Sequence, residues 1–415
     1  MDDSLKIYTK KTCVEDFIRV RNTTLKLTQN LSAEDMVIQT NDFVSPTKWH
    51  LGHTTWFFEN FLLIPFLNKY KSFSKDFNFI FNSYYNSLGQ FNSREKRGFL
   101  SRPSIDEVIK YRKYVDENLL HLFSKVQPNS RNFLLQLGIN HEQQHQELIL
   151  MDIKNVFFSN PLKPSFTRIT ENQPQKKIDN SFTLKSPKKF TYGSNKKSFF
   201  YDNELPNSIH RLQPFKLSSY ITNSDWKAFI KDGGYESHEY WLSDGWDFIK
   251  KNSVKRPLYW IDESHQFTLN GVKKIDNSLP VSHISLYEAF AFAKYKKSRL
   301  PTEFEIEYLL GRQKIRGNLL EDNRFSEVDY CNSFHKDCLY GNLWIWTSSN
   351  YLPYKNYKPY KNQLMEYNSK FMCNQFVLKG GSFSTPKSHI RSSYRNFYYP
   401  SDRWQFSGLR LVREI

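Results

Sequence analysis

Residues 141–147 read HEQQHQE and lie within a segment of helical character that runs from about Ser130 to Phe157. His141 and His145 are four residues apart, so on a helix they share one face and can bind one metal ion together. The same letters match H-E-x-x-H, the zinc-protease signature in which Glu142 would be the general base. The stretch therefore predicts a metal site on a helix, and it leaves open whether the chemistry is that of a zinc hydrolase.

Working outward from this stretch, residues 1–158 predict an up-and-down four-helix bundle. Two segments, 10–30 and 33–40, carry apolar side chains at helical spacing. A third helix is predicted to begin after Ser104, which stands three residues before Glu107 as in a capping box, and to run to about Phe123. Together with the segment that carries HEQQHQE, this gives four helices separated by loops.

The sequence changes character after the predicted bundle. Residues 159–186 contain several prolines and many polar side chains without apolar periodicity, which predicts a linker. Residues 187–415 are rich in aromatic residues, glycine and asparagine, and helices are predicted there only near 223–232 and 285–297. The predicted fold class is therefore multidomain, with an α-helical bundle followed by an α+β domain.

Bulk composition limits the classes of function. No run of 18 apolar residues is present, so no membrane-spanning helix is predicted, and the first residues lack the apolar core of a signal peptide. Four cysteines in 415 residues do not make a disulfide framework, which indicates a reduced, cytoplasmic protein. The formal charge of +17 is spread along the chain, so neither nucleic acid nor a membrane is an expected partner.

A catalytic metal ion needs a third protein ligand. The metzincin pattern would require histidine at 151, where this chain has Met151, whereas a downstream glutamate ligand of the thermolysin type stays an open alternative. The better candidate is SPTKWHLGHTTWFFENF, residues 45–61, which offers His50 and His53. Three imidazoles leave coordination positions open and suit a divalent iron or zinc ion.

The order W-H-L-G-H-T-T-W-F and then H-x-x-x-H-x-E resembles the helical DinB-type domain of the EgtB family, the iron-dependent sulfoxide synthases of ergothioneine biosynthesis. That family joins this domain to one resembling formylglycine-generating enzymes, which has a C-type-lectin-like α+β fold. The second half of the chain shows similar motifs in the expected order: PVSHISLYEAFAFAKYKKSRLPTEFEIEYL (280–309), GNLWIWTSS (341–349), KGGSF (379–383) and FSGLRLVRE (406–414). The resemblance implies a DinB-like bundle followed by a formylglycine-generating-enzyme-like domain.

The resemblance also implies which residues bind iron. Carried onto this sequence, the three ligands are His53, His141 and His145, while His50 matches a position that is not a ligand. Glu147, close to the metal pair, is expected to orient an imidazole from outside the coordination sphere. Glu142 then has no role as the base of a hydrolase.

The activity implied is oxidative carbon–sulfur bond formation. The family joins a thiol to carbon 2 of the imidazole of hercynine, the Nα-trimethylated histidine, and oxidises the sulfur with O2. Thiolate, imidazole and oxygen must all reach the iron, so three neutral histidines, which occupy about half of six positions, suit this chemistry. The expected enzyme is an oxidoreductase with Fe(II) as cofactor, O2 as co-substrate and small molecules as its partners.

The same resemblance points to residues that contact hercynine. Gln144 precedes the last iron histidine, and Asn396, Phe397 and Tyr398 belong to the R-N-x-x-Y-P segment that also does so. Many relatives have Asn-Trp-Asp where this chain has Asn-Phe-Tyr, so the usual carboxylate contact to the trimethylammonium group is missing. Aromatic faces are suitable hosts for that permanent charge.

Residues 81–90, FNSYYNSLGQ, resemble the loop in which one branch of the family keeps its active-site tyrosines. Tyr84 is the expected proton donor, with Tyr85 in support, because a phenol can give a proton and delocalise the resulting charge. In the same branch, arginines at the spacing of Arg94 and Arg97 bind the cysteine substrate, and a guanidinium can grip its carboxylate through two hydrogen bonds.

Several alternatives stay open. The thiol is expected to be cysteine, and γ-glutamylcysteine or a selenosugar, as in selenoneine synthases, would fit the same architecture. A zinc hydrolase using HEQQH and a non-catalytic binding module are readings of a different class. Formylglycine formation itself is not expected, because no cysteine lies between Gly380 and Tyr394.

Overall fold

A computed structural model describes residues 10–125, 130–167, 181–327 and 339–415, so part of the predicted linker lies outside the described residues. The chain divides into two compact units, one of which runs to Leu162 and also includes Asn195–Tyr201 and Tyr360–Tyr367. The other comprises Lys163–Ser194, Asp202–Pro359 and Asn368–Ile415. Two short segments of the predicted C-terminal domain thus belong to the first unit.

The first unit is helical, which confirms the predicted class of the N-terminal domain. A π-helical turn, Glu59–Leu63, continues its second helix, and 3-10 turns cover Asn86–Leu88 and Arg94–Phe99. No helix among the described residues is long and apolar enough to cross a membrane. The helices are α1 (Lys10–Thr28), α2 (Thr47–Phe58), α3 (Ile64–Phe66), α4 (Asp76–Phe81), α5 (Ile105–Lys125) and α6 (Ser130–Ser159).

The capping-box pattern predicted the start of one helix correctly, whereas apolar spacing predicted another helix that does not form. The Ser104 N–H donates to Glu107 Oε2 (2.7 Å) and the Glu107 N–H donates to Ser104 Oγ (3.2 Å), which confirms the capping box before α5. The helix predicted over 33–40 is wrong, because the chain forms turns at 33–37 there. That segment is only about two turns long, too short to form a stable helix without tertiary support.

Helix α2 carries the W-H-L-G-H motif and is buried along its whole length. It packs against α5 and α6, so it has no solvent face to mark it as amphipathic in the sequence. Gly52 permits a close approach to α4, since a Cβ at this position would lie 2.1 Å from Cε1 of Phe81. This contact brings the end of α4 against α2.

The second unit has an α+β fold, as predicted. Its described strands are β1 (Phe182–Leu184), β2 (Lys188–Tyr192), β3 (Ser208–Leu212), β4 (Phe215–Tyr220), β5 (His265–Thr268), β6 (Gly271–Lys274), β7 (Trp344–Asn350), β8 (Phe376–Lys379), β9 (Asn396–Tyr398), β10 (Ser407–Gly408) and β11 (Arg410–Glu414). They form a three-stranded sheet in the order β1-β4-β11, a four-stranded sheet in the order β10-β7-β8-β9, and the hairpins β2-β3 and β5-β6.

In the part of this unit that the structure describes, four short α-helices accompany these strands. The two predicted helices are confirmed as α7 (Asn223–Lys231) and α9 (Leu286–Tyr295), whereas α8 (Ser243–Lys251) and α10 (Glu303–Leu310) were not predicted. Helix α10 had a signal in the sequence, because Thr302 and Glu305 form a capping box at its start.

Candidate metal centre

Three buried imidazoles meet inside the helical unit. His53 comes from α2, and His141 and His145 come from successive turns of α6. One nitrogen of each ring lies within 4.8 Å of the others. Among the described residues, no other group of three or more histidines, cysteines or carboxylates is arranged in this way. The structure therefore brings together the three predicted ligands, and that they bind iron stays a prediction.

The protonation of His53 follows from its contacts. Its Nδ1 lies 2.6 Å from the carbonyl oxygen of Phe81, which can only accept, so Nδ1 carries the hydrogen. In the neutral ring Nε2 then has a free electron pair, and Nε2 lies 3.2 Å from Nε2 of His141. The indole of Trp49 stacks on the His53 ring at 4.5 Å between centroids and holds its plane.

Burial keeps the three rings neutral. It lowers the pKa of His141 to about 3. Burial, with the neighbouring imidazole of His141 adding to it, holds the pKa of His53 and of His145 well below the usual range. A neutral imidazole is the form that binds a metal ion, so the pocket favours metal binding over protonation.

His50 lies outside this cluster of three. Its Nδ1 is 2.8 Å from Nδ1 of His145, and its Nε2 is 2.8 Å from Oδ2 of Asp152. The His50 ring therefore contacts His145, one of the predicted ligands, through its Nδ1 atom. Neither Asp152 nor this contact was anticipated from the sequence, because Asp152 lies two turns beyond His145 on α6 with no motif to mark it.

Glu142 faces away from the three histidines. Its carboxylate accepts hydrogen bonds from Arg21 (2.9 Å), from Thr24 (2.6 Å) and from Arg112. Burial alone would raise its pKa, but the two guanidinium groups outweigh burial and lower the pKa of Glu142 to about 2. A carboxylate held in this way cannot accept a proton near neutral pH, so the H-E-x-x-H match does not make a protease-type base.

Glu147 is buried on α6 with 7% of its surface exposed. Its predicted role is to orient a ligand imidazole. The orienting contacts that the structure gives to His53 and His145 are those of the Phe81 carbonyl and of His50. The role of Glu147 stays a prediction.

Tyr367 is a buried phenol beside the histidines that the sequence did not reveal. Its hydroxyl donates to Oε1 of Gln144 (2.7 Å), and its ring centroid lies 5.9 Å from that of His141. Burial raises its pKa well above the usual value, so the phenol keeps its proton. Tyr367 reaches the helical unit through the segment Tyr360–Tyr367, and no local sequence signal marks that return.

The predicted tyrosine pair lies in the loop after α4. The two rings stack at 4.7 Å, and Tyr85 is fully buried against Trp56, whereas Tyr84 is half-buried. The Glu366 carboxylate accepts from the backbone N–H of Asn86 (3.2 Å) and of Ser87 (3.0 Å) and so holds the loop. That Tyr84 donates a proton stays a prediction.

The two predicted arginines differ in their surroundings. Arg97 is buried, its guanidinium lies 3.3 Å above the centroid of the Trp49 ring, and its Nη1 donates to Ser45 Oγ at 2.9 Å. Its Nε has no hydrogen-bond partner among the described residues. Arg94 is exposed and donates to the carbonyl of Phe43. Of the two, only Arg97 is placed against a residue that also packs on the histidine cluster.

Comparison with known families agrees with this two-part organisation. The DinB superfamily matches residues 16–149. The family described as sulfatase-modifying factor enzyme 1-like domain matches residues 167–338 and 336–415, which is more than half of the chain. The chain belongs to this family. The predicted pairing of a DinB-type domain with a formylglycine-generating-enzyme-like domain is thereby confirmed.

Similarity to individual relatives extends over most of the chain. The protein is 26% identical over 327 residues to hercynine oxygenase of Mycolicibacterium thermoresistibile, with 72% of each chain covered. It is 24% identical to hercynine oxygenase of Mycolicibacterium smegmatis, with 98% of this chain and 99% of that one covered. The structure of PvdO from Pseudomonas aeruginosa aligns with 59% of this chain at a TM-score of 0.36 and 16% identity.

The predicted hercynine segment lies in the sulfatase-modifying-factor-like domain, on β9. Its three residues, Asn396, Phe397 and Tyr398, are half-buried. Phe397 stacks on Tyr351 with 4.1 Å between centroids, and Tyr398 meets Trp404 edge-on at 6.1 Å. The segment is therefore an aromatic surface of that domain, and its contact with hercynine stays a prediction.

Proposed function

We propose that the protein is an iron(II)- and O2-dependent sulfoxide synthase that bonds carbon 2 of the hercynine imidazole to the sulfur of cysteine. The observation that carries the proposal is the cluster of three neutral, buried imidazoles, which no carboxylate joins among the residues that the structure describes. Relatives named hercynine oxygenase over most of the chain supply the substrate class. In the proposed reaction the C–H and S–H bonds are lost, and O2 gives one oxygen atom to the sulfoxide and one to water.

The donor set fits a divalent iron ion. Three neutral imidazoles leave the charge of the ion uncompensated and about half of its six positions open, so an anionic thiolate can bind. Iron(II), when bound, would supply the redox chemistry that couples O2 reduction to carbon–sulfur bond formation. The contacts of His53 and His145 with Phe81 and His50 fix the direction of two of the three electron pairs.

Tyr367 is the phenol whose position best suits proton donation. Its hydroxyl is held by Gln144, the residue before the ligand His145, and its ring packs on His141. A group that keeps its proton near neutral pH can deliver it where negative charge develops. We therefore propose Tyr367 in place of Tyr84 as the proton donor, with Tyr84 and Tyr85, whose phenols interact electrostatically with that of Tyr367, in support.

Arg97 suits the carboxylate of the thiol substrate. A buried guanidinium is costly unless an anion compensates it, and its Nε is free of hydrogen bonds among the described residues. The flat stacking on Trp49 leaves the edge of the guanidinium available for a bidentate contact. Arg94 would add positive charge at the surface near this position.

The trimethylammonium group of hercynine would be bound by aromatic faces rather than by a carboxylate. Asn396, Phe397 and Tyr398 are the residues proposed for this contact. Each favourable cation–π contact contributes roughly 0.5–2 kcal/mol, so two or three together can replace an ion pair.

The test is an assay of the iron(II)-loaded protein with hercynine in air, read by mass spectrometry, with cysteine, γ-glutamylcysteine and a selenosugar offered separately. The expected product has the summed mass of hercynine and cysteine, less two hydrogens and plus one oxygen. An adduct formed only with γ-glutamylcysteine or only with the selenosugar would identify that compound, instead of cysteine, as the donor. No adduct with any of the three, with iron bound, would refute the proposed reaction.

A further inference from the structure

His50 and Asp152 form a hydrogen-bonded pair next to His145, one of the predicted metal ligands. We propose that the Asp152–His50 pair is a positioning device that sets the tautomer and the electron-donating strength of His145 toward the metal. The inference rests on the proposed metal site and goes beyond it, because neither residue would touch the ion or the substrates.

The geometry links the two helices that carry the ligands. His50 lies one turn before His53 on α2, and Asp152 lies two turns after His145 on α6. The distances are 2.8 Å from His145 Nδ1 to His50 Nδ1 and 2.8 Å from His50 Nε2 to Asp152 Oδ2. The three residues are between 1% and 7% exposed, so water does not compete for these hydrogen bonds.

The positions of the hydrogens follow from the chemistry of each group. An ionised carboxylate only accepts, so Nε2 of His50 must carry the hydrogen that it donates to Asp152. In a neutral ring Nδ1 of His50 is then an acceptor, and the hydrogen of the next bond sits on Nδ1 of His145. This leaves the electron pair of His145 on Nε2, the nitrogen that is free to bind a metal ion.

The carboxylate is anchored independently of the histidines. Oδ2 of Asp152 also accepts from the backbone N–H of Ser45 at 2.8 Å, just before α2 begins at Thr47. One oxygen atom therefore accepts both hydrogen bonds, from the backbone and from His50. An asparagine oxygen at the same place can accept both as well, so Asp152→Asn removes the charge and keeps the geometry.

The pair predicts two separable effects. The hydrogen bond to His145 orients the ring, and its loss should weaken metal binding about 10- to 100-fold. The negative charge of Asp152, passed through His50, makes His145 a stronger donor and should stabilise iron(III) relative to iron(II). Removing only the charge should therefore raise the iron(III)/iron(II) midpoint potential, whereas a merely structural role would leave that potential unchanged.

The experiment measures Co(II) and Fe(II) affinity by chelator competition, and the iron midpoint potential by spectroelectrochemistry, in the full-length protein. The variants are His50→Phe, His50→Gln and Asp152→Asn, with Asn155→Ala as the control, since Asn155 is a buried α6 residue whose side-chain oxygen accepts from Thr40 and Asn41. Circular dichroism checks that each variant is folded.

We expect His50→Phe to weaken Co(II) binding close to 100-fold and His50→Gln, whose amide oxygen can still accept from His145, to weaken it far less. Asp152→Asn should raise the midpoint potential, and the control should match the wild type. Affinities within threefold of the wild type in His50→Phe, or an unchanged potential in Asp152→Asn, would overturn the inference. A wild-type protein that binds neither ion would overturn the proposed metal site itself.

Discussion

The buried carboxylate of Glu142 offers the sharpest test that the H-E-x-x-H match is structural. Glu142→Gln keeps the shape of the side chain and removes the charge that Arg21 and Arg112 share. Arg21 keeps Asp116 at 2.7 Å, but Arg112 loses its carboxylate inside the bundle. We therefore expect loss of stability without loss of metal binding.

The size of the effect can be worked from the pKa of Glu142. A value of about 2 in place of the ordinary 4.5 corresponds to roughly 3 kcal/mol, at about 1.4 kcal/mol per tenfold change. Breaking a buried ion pair from one side costs about 3–5 kcal/mol, which agrees. For a unit of this size each kcal/mol shifts the melting temperature by roughly 2–4 °C, so a loss of about 3–5 kcal/mol should lower it by about 6–20 °C.

The contribution of Glu142 to stability should decrease as the pH is lowered into the acid range. The folded protein lowers the pKa of this carboxyl, so its contribution to the unfolding free energy is complete above about pH 4.5 and is lost as the pH falls toward 2. The difference in stability between the wild type and Glu142→Gln should therefore be constant near neutrality and shrink in acid. Thermal unfolding by circular dichroism over this pH range measures it.

A matched control comes from the surface of α5. Glu117 pairs with Lys113 at 3.9 Å while both are largely exposed, so Glu117→Gln should change stability by less than about 1 kcal/mol. The reasoning would be refuted if Glu142→Gln melted like the wild type and bound metal, yet lost activity. That result would return Glu142 to the role of a catalytic base and revive the hydrolase.

Three further predictions concern the site. His53→Ala should abolish tight binding of Fe(II) and Co(II) while circular dichroism stays helical, and a variant that still binds Co(II) like the wild type would exclude His53 as a ligand. Tyr367→Phe should lower kcat about 100-fold or more without changing metal affinity, measured by turnover and chelator competition. Arg97→Met should raise KM for cysteine about 10-fold or more and leave KM for hercynine unchanged, because a charged hydrogen bond contributes about 1.5–3 kcal/mol; Arg94→Met should have the smaller effect.

The sequence predicted the elements whose signals are local. Capping by Ser104 and Glu107 placed the start of α5, and the spacing of His141 and His145 required a helix that α6 provides. Helix α2 escaped prediction by periodicity, because it is buried on all sides and has no polar face. Its histidines were found through their motif instead.

The parts of the site that the sequence missed depend on contacts between distant residues. Tyr367 meets Gln144 across 223 positions of the chain, and His50 meets Asp152 across 102. Neither pair has a spacing or a flanking pattern that marks it, since each forms only when the helices pack. A resemblance carried over motif by motif therefore named the three clustered histidines but not the neighbouring groups that contact them or pack against them.

The return of residues 360–367 to the helical unit has a consequence for how such proteins can be recombined. Tyr367 and Glu366 belong in sequence to the sulfatase-modifying-factor-like half. Replacing that half with one from a relative would therefore also replace the phenol beside the histidines and the carboxylate that holds the loop of Tyr84 and Tyr85. In a chimaera joined within the linker, the groups around the histidines would therefore come from both parents. Substitutions near the histidines in one half are then expected to be accompanied by substitutions at residues 360–367 in the other.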